Sequence, residues 1–401
     1  MLQLKASRFK KGMSLLVEDN PHVDYFYIIQ SGQVAVPNMK GLQTSEKMQV
    51  MGPGDFIGVI SCMAHKRQVE SAFAATDTVV IGVQRNQYAE LITTNTPIAL
   101  KIIRTFAKRM KLLNESLMSQ TLNRKASEDP AQIFQIARYY DNDGQEAVAA
   151  FAYYQFLKLQ RSGQATEAAK KKFAELKPHT RAVYFEPTGE MTRKYPRGTM
   201  VFCEFQSGAE MFIIQSGSIK ITKVMNGTEV TLAILKAGDM FGEMALLSND
   251  LRSASAIANE DCVLLTINKQ NFSKMVESQP AMIAKLTTTF AERLWKMQRQ
   301  LMNSQLVGFP LEKMIDRLSI ELEAMNYNDS EKAELQTNFS SADIATMSGL
   351  TKQEQAKTIF RFEKSGLVNV IKNKLFIPNC AEVIKQAGFN RKQILKTQQR
   401  M

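Results

Sequence analysis

No uninterrupted apolar run in the 401 residues approaches the ~20 that a membrane-spanning helix needs. The opening stretch MLQLKASRFKKG also lacks the apolar core of a secretory signal. No membrane partner is expected, and a cytoplasmic location is. Cysteine is scarce: Cys62, Cys203, Cys262 and Cys380 lie far apart, which excludes a disulfide scaffold and paired zinc ligands and leaves four buried thiols. Histidine is scarcer still, with His22, His65 and His179 scattered along the chain, so no metal is expected. Nothing pairs a nucleophile with a base, or two acids with each other, so an enzyme is not expected either. What the chain does have is a formal charge of +12 on an ordinary globular composition, 44% hydrophobic and 22% charged. That excess suits a polyanionic partner without proving one.

The chain contains a long internal repeat. FYIIQSGQVAV at 26–36 matches MFIIQSGSIKI at 211–221, and VMGPGDFIGV at 50–59 matches ILKAGDMFGE at 234–243, at an offset near 185 residues. Apolar and polar residues alternate around Ser-Gly turns, which predicts antiparallel strands joined by tight hairpins. The period is too long for a solenoid, so a whole domain is duplicated. Each copy runs into a helix with one apolar stripe: Ile98, Ile102, Phe106, Met110 and Leu113 in the first, Ile283, Leu286, Phe290, Leu294, Met297 and Leu301 in the second. Such a stripe packs either on its own domain or, because the step is close to a heptad, on a partner helix in a dimer. Between the copies, residues 128–178 carry no strand signal and read as helices around Asp143-Gly144, a helical spacer weakly like a tetratricopeptide hairpin.

The second copy contains FGEMALLSNDLRSASA at 241–256. Gly242 has no side chain, so amides at the start of the short helix that follows can approach an anion. Arg252 offers a planar, permanently charged fork to two phosphate oxygens, and Ser253 adds a hydroxyl donor. Glu243 is a poor phosphate neighbour but a good acceptor for a sugar hydroxyl. A surface salt bridge between Glu243 and Arg252 explains the charges but not the run of small residues.

IIQSG, AGDMFGEMALL and RSASA, in that order and spacing, resemble the cyclic nucleotide-binding domain, a β-roll flanked by helices. The resemblance covers about 120 residues and implies a phosphate-binding cassette made of Gly242, Glu243, Arg252 and Ser253, with the amides of Met244 and Ala245 beside them. It implies a cyclic mononucleotide as ligand, cyclic AMP favoured and cyclic GMP open, and no metal. In the first copy Gly58 is retained, Val59 replaces the glutamate and, after a two-residue insertion, Glu70 stands where Arg252 does. At about 4 Å and an effective dielectric near 20, a unit charge pair is worth about 4 kcal/mol before desolvation, so this sign change removes several decades of affinity. The first domain is expected to fold without binding a cyclic mononucleotide in the usual way. Lys66 and Arg67, within the insertion, are read as solvated.

Residues 340–379 read SSADIATMSGLTKQEQAKTIFRFEKSGLVNVIKNKLFIPN. A short helix, a turn at Gly349, a capping box from Thr351 to Glu354, a second helix and a hairpin around Lys372-Asn373 make a winged helix-turn-helix. This stretch resembles the DNA-binding end of the cyclic-AMP receptor protein family. The resemblance implies that Lys352, Gln353 and Lys357 face base edges or phosphates in the major groove of double-stranded DNA. It also implies a homodimer and, counting from Leu294, ligand contact by Gln298. From Lys352 onward eleven basic residues face three acidic ones. Gln355 is out of place on this helix, at a position that points into the core.

The fold class expected is therefore α+β. A degenerate cyclic nucleotide-binding domain (1–127), a helical spacer (128–178), a cyclic nucleotide-binding domain with its dimerisation helix (179–303) and a winged helix domain (304–401) follow in order. The function expected is a transcription regulator in which ligand in the second β-roll repositions the winged helix. The alternative is a nucleotide-binding signalling adaptor whose winged helix contacts protein.

Overall fold

The computed structural model describes residues 4–21, 23–38, 48–122, 131–184, 191–225, 227–243, 251–268, 274, 278 and 280–400. The chain divides into two compact units, one formed by Met1–Arg124 with Gln279–Met401 and the other by Lys125–Ser278.

The first unit opens with a β-roll of two four-stranded sheets. Strands β1 (Lys5–Phe9), β3 (Tyr25–Ser31), β6 (Phe56–Ile57) and β8 (Thr78–Gln84) form one in the order β1-β8-β3-β6. Strands β2 (Ser14–Leu16), β4 (Val34–Pro37), β5 (Met48–Met51) and β7 (Ala72–Ala74) form the other in the order β2-β7-β4-β5. Inward positions such as Ile29, Val34, Ile57, Ala72 and Val80 fill the space between the sheets. Helix α1 (Val59–Ala64) follows β6, and α2 (Tyr88–Thr94) and α3 (Thr96–Leu122) follow β8.

In the second unit α4 (Ala131–Asn142), α5 (Glu146–Leu159) and α6 (Gln164–Leu176) precede a second roll. Its strands are β9 (Thr192–Tyr195), β10 (Met200–Phe202), β11 (Glu210–Ser216), β12 (Ser218–Met225), β13 (Thr228–Lys236), β14 (Met240–Phe241), β15 (Ser255–Ala258) and β16 (Cys262–Asn268). They pair as β14-β11-β16-β9 and β10-β15-β12-β13, the same topology as the first roll. Even the irregularity recurs: register shifts between Ile29 and Ser31 in one copy and between Ile214 and Ser216 in the other. The three helices expected as a spacer instead share a core with this roll. Ile136, Tyr140, Phe151 and Phe156 pack in one cluster with Met200, Cys203 and Ile257. Tyr140 Oη lies 3.1 Å from its partner Thr222 Oγ1, and Glu229 N–H donates to Tyr139 Oη. Each aromatic ring so buried contributes about 1.5–3 kcal/mol, far more than a linker would supply.

After residue 279 the chain returns to the first unit. Helix α7 (Pro280–Ser304) buries Ile283, Leu286, Phe290, Leu294, Met297 and Leu301, and its contacts include α1, α2 and α3. The stripe read as belonging to the second domain is thus covered by the first, with the apolar face of α3 as its partner. A periodicity names the buried face and leaves open what buries it. Tyr88 Oη, on α2, meets Thr287 Oγ1 at 3.0 Å inside this packing.

Helix α8 (Pro310–Ala324), α9 (Ser341–Met347), α10 (Lys352–Glu363) and α11 (Cys380–Arg400) surround a sheet ordered β17-β19-β18, from β17 (Leu335–Gln336), β18 (Asn369–Ile371) and β19 (Lys374–Ile377). Met314, Leu318, Ile344, Phe362, Leu375 and Val383 form its core. Both helix starts carry reciprocal capping boxes, Ser340 with Asp343 and Thr351 with Glu354. Gln355 proves compatible with its half-buried position because its Nε2 donates to Leu350 O at 3.0 Å. No described helix is long and apolar enough to cross a membrane.

Candidate functional site

Arg252 follows the isolated bridge between Leu251 and Ser207, so its backbone is tied to the loop after β10: its N–H donates to Gln206 O and its carbonyl accepts from Phe205 N–H, both at 2.8 Å. That anchoring carries the side chain into the roll, where it is 5% exposed. Its Nη1 donates to Gly242 O at 2.6 Å and its Nη2 to Glu210 O at 2.7 Å. Cζ lies 4.2 Å from the centre of the Phe202 ring, a cation–π contact. Nε is buried and has no hydrogen-bond partner. Burial pushes the guanidinium pKa down to about 10, against the opposing pull of Glu210 and Glu243. A desolvated cation with an unused donor is prepared to meet an anion.

Two glycines make room for it. A Cβ on Gly208 would stand 2.4 Å from Arg252 Cζ, and one on Gly242, at φ 77°, would stand 2.7 Å from Nη1. Glu243 is buried, and Ser253 is exposed beside the cassette. Met244 and Ala245 lie outside the described residues. Gln298 belongs to the first unit, on α7, where it is fully buried. With its amide oriented so that the oxygen faces Arg109, that oxygen accepts from Arg109 Nε at 2.7 Å and from Nη2 at 2.5 Å.

The cavity beside Arg252 encloses about 520 Å³, within the ~300–1,000 Å³ usual for small-molecule sites. Phe202, Phe212 and Tyr195 supply apolar wall, and Arg193 with Glu210 supplies a buried charge pair bonded twice, each bond 2.8 Å. Burial opposes the Arg193 charge, yet Glu210 outweighs it and raises its pKa. Arg193 and Glu210 were missed in the sequence. The available signal was TRKY at 192–195, whose strand alternation turns Arg193 inward together with Tyr195. Helix α5 closes the cavity with Phe151, Gln155, Lys158 and Leu159.

At the equivalent place in the first roll Gly58 keeps the left-handed backbone, φ 74°, but its N–H donates to Glu70 Oε1 at 3.1 Å. Glu70, 7% exposed, also meets Arg109 Nη1 at 2.9 Å. A carboxylate of the chain therefore sits on the cassette glycine, with a cation from α3 behind it. The neighbouring insertion is not solvated as expected. Lys66 Nζ donates to Asn326 Oδ1 at 2.6 Å and also to Glu323 O, while Arg67 pairs with Glu323 at 3.3 Å and with Asp329. Burial lowers the Lys66 pKa.

This contact continues as a buried ion network. Asp19 pairs with Arg391 at 2.8 Å, Arg299 with Glu323 at 3.1 Å and with Asp316 at 3.4 Å, and Arg391 with Asp316. Burial raises the Asp19 carboxyl, but Arg391, Arg299 and Lys392 outweigh it and hold the pKa below the ordinary value. Lys352, Gln353 and Lys357 are exposed on α10, whereas Arg391 is 4% exposed and removed from any phosphate surface. Among the described residues no cluster of His, Cys, Asp and Glu fits a metal.

The family model for the cyclic nucleotide-binding domain matches residues 6–95 and 192–279, which coincide with the two β-rolls. The chain thus contains two cyclic nucleotide-binding domains. It is 35% identical over 103 residues to the cyclic AMP receptor protein of Thermus thermophilus, covering 25% of this chain and 48% of the relative. It is 22% identical over 196 residues, 48% of this chain and 86% of the relative, to a CRP-like cAMP-activated global transcriptional regulator of Mycobacterium tuberculosis. It is 36% identical over 85 residues, 20% of this chain and 11% of the relative, to human cGMP-dependent protein kinase 2. The chain spans about half the length of the Thermus relative.

Proposed function

We propose that the protein is a transcription regulator whose second β-roll binds a cyclic mononucleotide and whose C-terminal winged helix binds double-stranded DNA. The observation that carries the ligand half is Arg252, buried beside a cavity of about 520 Å³ with a free Nε donor. Ligand phosphate would exchange for the carbonyls of Gly242 and Glu210 on that fork, and Glu243 would take a ribose hydroxyl. Cyclic AMP is favoured by the wording of the relatives' names, with cyclic GMP the competitor. The first roll is not a second sensor in this reading, because Glu70 already occupies the cassette amide and would repel a phosphate.

The DNA half rests on α10. Lys352, Gln353 and Lys357 form its exposed first turns, and the capping box that starts it also fixes their direction. A ligand signal would reach this helix along the chain, since the second unit ends at Ser278, just before α7 begins at Pro280, and α7 packs within the unit that holds α10. Binding shifts the output only if it favours one arrangement of that junction over another. A homodimer, expected for a protein reading a two-fold site, needs a surface other than the α7 stripe, which is already buried within one chain.

The test is fluorescence anisotropy of a labelled duplex library titrated with the protein, with and without cyclic AMP or cyclic GMP. Salt-dependent binding that one nucleotide changes tenfold or more supports the regulator. Nucleotide binding without any duplex binding would leave the adaptor reading in its place.

A further inference from the structure

We propose that helix α5, not a helix C-terminal to the roll, supplies the base-recognition wall of the nucleotide site, with Gln155 reading the edge of the base. The inference rests on the reading that the second roll binds a cyclic nucleotide. Phe151, Gln155, Lys158 and Leu159 are spaced i, i+4, i+7 and i+8, so one face of α5 looks into the cavity that contains Arg252. Within this wall Gln155 is the uncharged polar group. It is 8% exposed, and its amide makes no hydrogen bond to any described residue. Neither amide atom is among the fully enclosed polar atoms left without a partner, so the amide opens on the cavity that Gln155 lines.

An arginine at one side of a cavity and an unpaired amide at another fit a ligand with an anion at one end and a hydrogen-bonding plane at the other. A carboxamide offers two N–H donors and an oxygen acceptor. It can therefore pair two-point with adenine, through the exocyclic amine and a ring nitrogen, or with guanine in the opposite orientation. Phe151, 3% exposed and stacked on Tyr184 with ring centres 6.1 Å apart, is held rigidly as apolar wall beside that edge. The residue expected to do this work, Gln298, is engaged by Arg109 in the first unit.

The test is isothermal titration of the full chain with cyclic AMP and with cyclic GMP, comparing wild type, Gln155→Leu, Gln155→Glu and Arg252→Glu, each checked by thermal melting. Gln155→Leu should weaken the preferred nucleotide about tenfold, the loss expected when a base edge is left unpaired. Gln155→Glu, which keeps only acceptors, should move the preference toward cyclic GMP by tenfold or more. If both Gln155 variants keep wild-type affinities and ratio while Arg252→Glu loses binding, the base wall lies elsewhere and the nucleotide reading stands. If wild type binds neither nucleotide, the site reading itself fails and this inference with it. Should Gln155→Leu melt below wild type, the ratio measured in Gln155→Glu decides the matter alone.

Discussion

Arg252 and Glu70 stand at corresponding places in two copies of one fold, and each is buried among partners that suit its sign. Arg252 has carbonyl oxygens and an aromatic face; Glu70 has an amide and an arginine. The substitution is therefore more than the loss of a ligand contact, because the carboxylate has been built into the structure. Glu70→Gln keeps an acceptor for Gly58 N–H but gives up the pairing with Arg109, which is about a quarter exposed. It should destabilise the first unit by about 1–3 kcal/mol in chemical denaturation and leave nucleotide affinity unchanged. At Arg252 the depressed pKa gives a pH test. A guanidinium pKa pushed down to about 10 by burial predicts ligand affinity that is flat from neutral pH to about 9 and falls as pH rises further. Titrations in buffers of different ionisation heat would show proton uptake on binding in that upper range.

At the scale of elements, the strands, hairpins, apolar stripes and the capping box from Thr351 to Glu354 were legible in the sequence, because alternation, Ser-Gly turns and helical spacing are local signals. The ownership of the stripes was not. α7 was read with the second roll and is buried against the first, and 128–178 was read as a spacer and is part of a core. Local pattern states that a face must be covered, and only the tertiary fold chooses the cover. For the same reason Lys66 and Arg67 were read as solvated, since their partners Glu323, Asn326 and Asp329 lie more than 250 residues away. The Asp19 network implies an acid sensitivity. Its carboxyl is held below the ordinary Asp value, so its contribution is present above that value and lost as pH falls through the lower, folded one. Trp295, whose Nε1 donates to Arg67 O at 2.9 Å, is the single tryptophan and reports the event. Its emission should change in that acid range in wild type. On α10, replacing Lys352 and Lys357 together by alanine should weaken duplex binding and lower its salt slope by about 0.9 for each phosphate contact removed.

For the whole molecule, duplication has yielded two unequal parts: one β-roll joined to the C-terminal helices through buried ion pairs, and one β-roll carrying an open cavity and its own helices. The repeat offset in the sequence disclosed the two copies, and the sign change from Arg252 to Glu70 disclosed their inequality, whereas the cavity wall on α5 required the fold. Nucleotide at a hundred times its dissociation constant should stabilise the second unit by about 2.7 kcal/mol. Because α7 starts where that unit ends, Trp295 emission should also respond to nucleotide; a silent Trp295 with saturated ligand would show the units to be uncoupled.

The most direct measurement is a calorimetric titration of the full chain with cyclic AMP and cyclic GMP, repeated on Arg252→Glu and Glu70→Gln. The account predicts one nucleotide per chain, lost in Arg252→Glu and retained in Glu70→Gln. Two nucleotides per chain, or binding that survives Arg252→Glu, would contradict it.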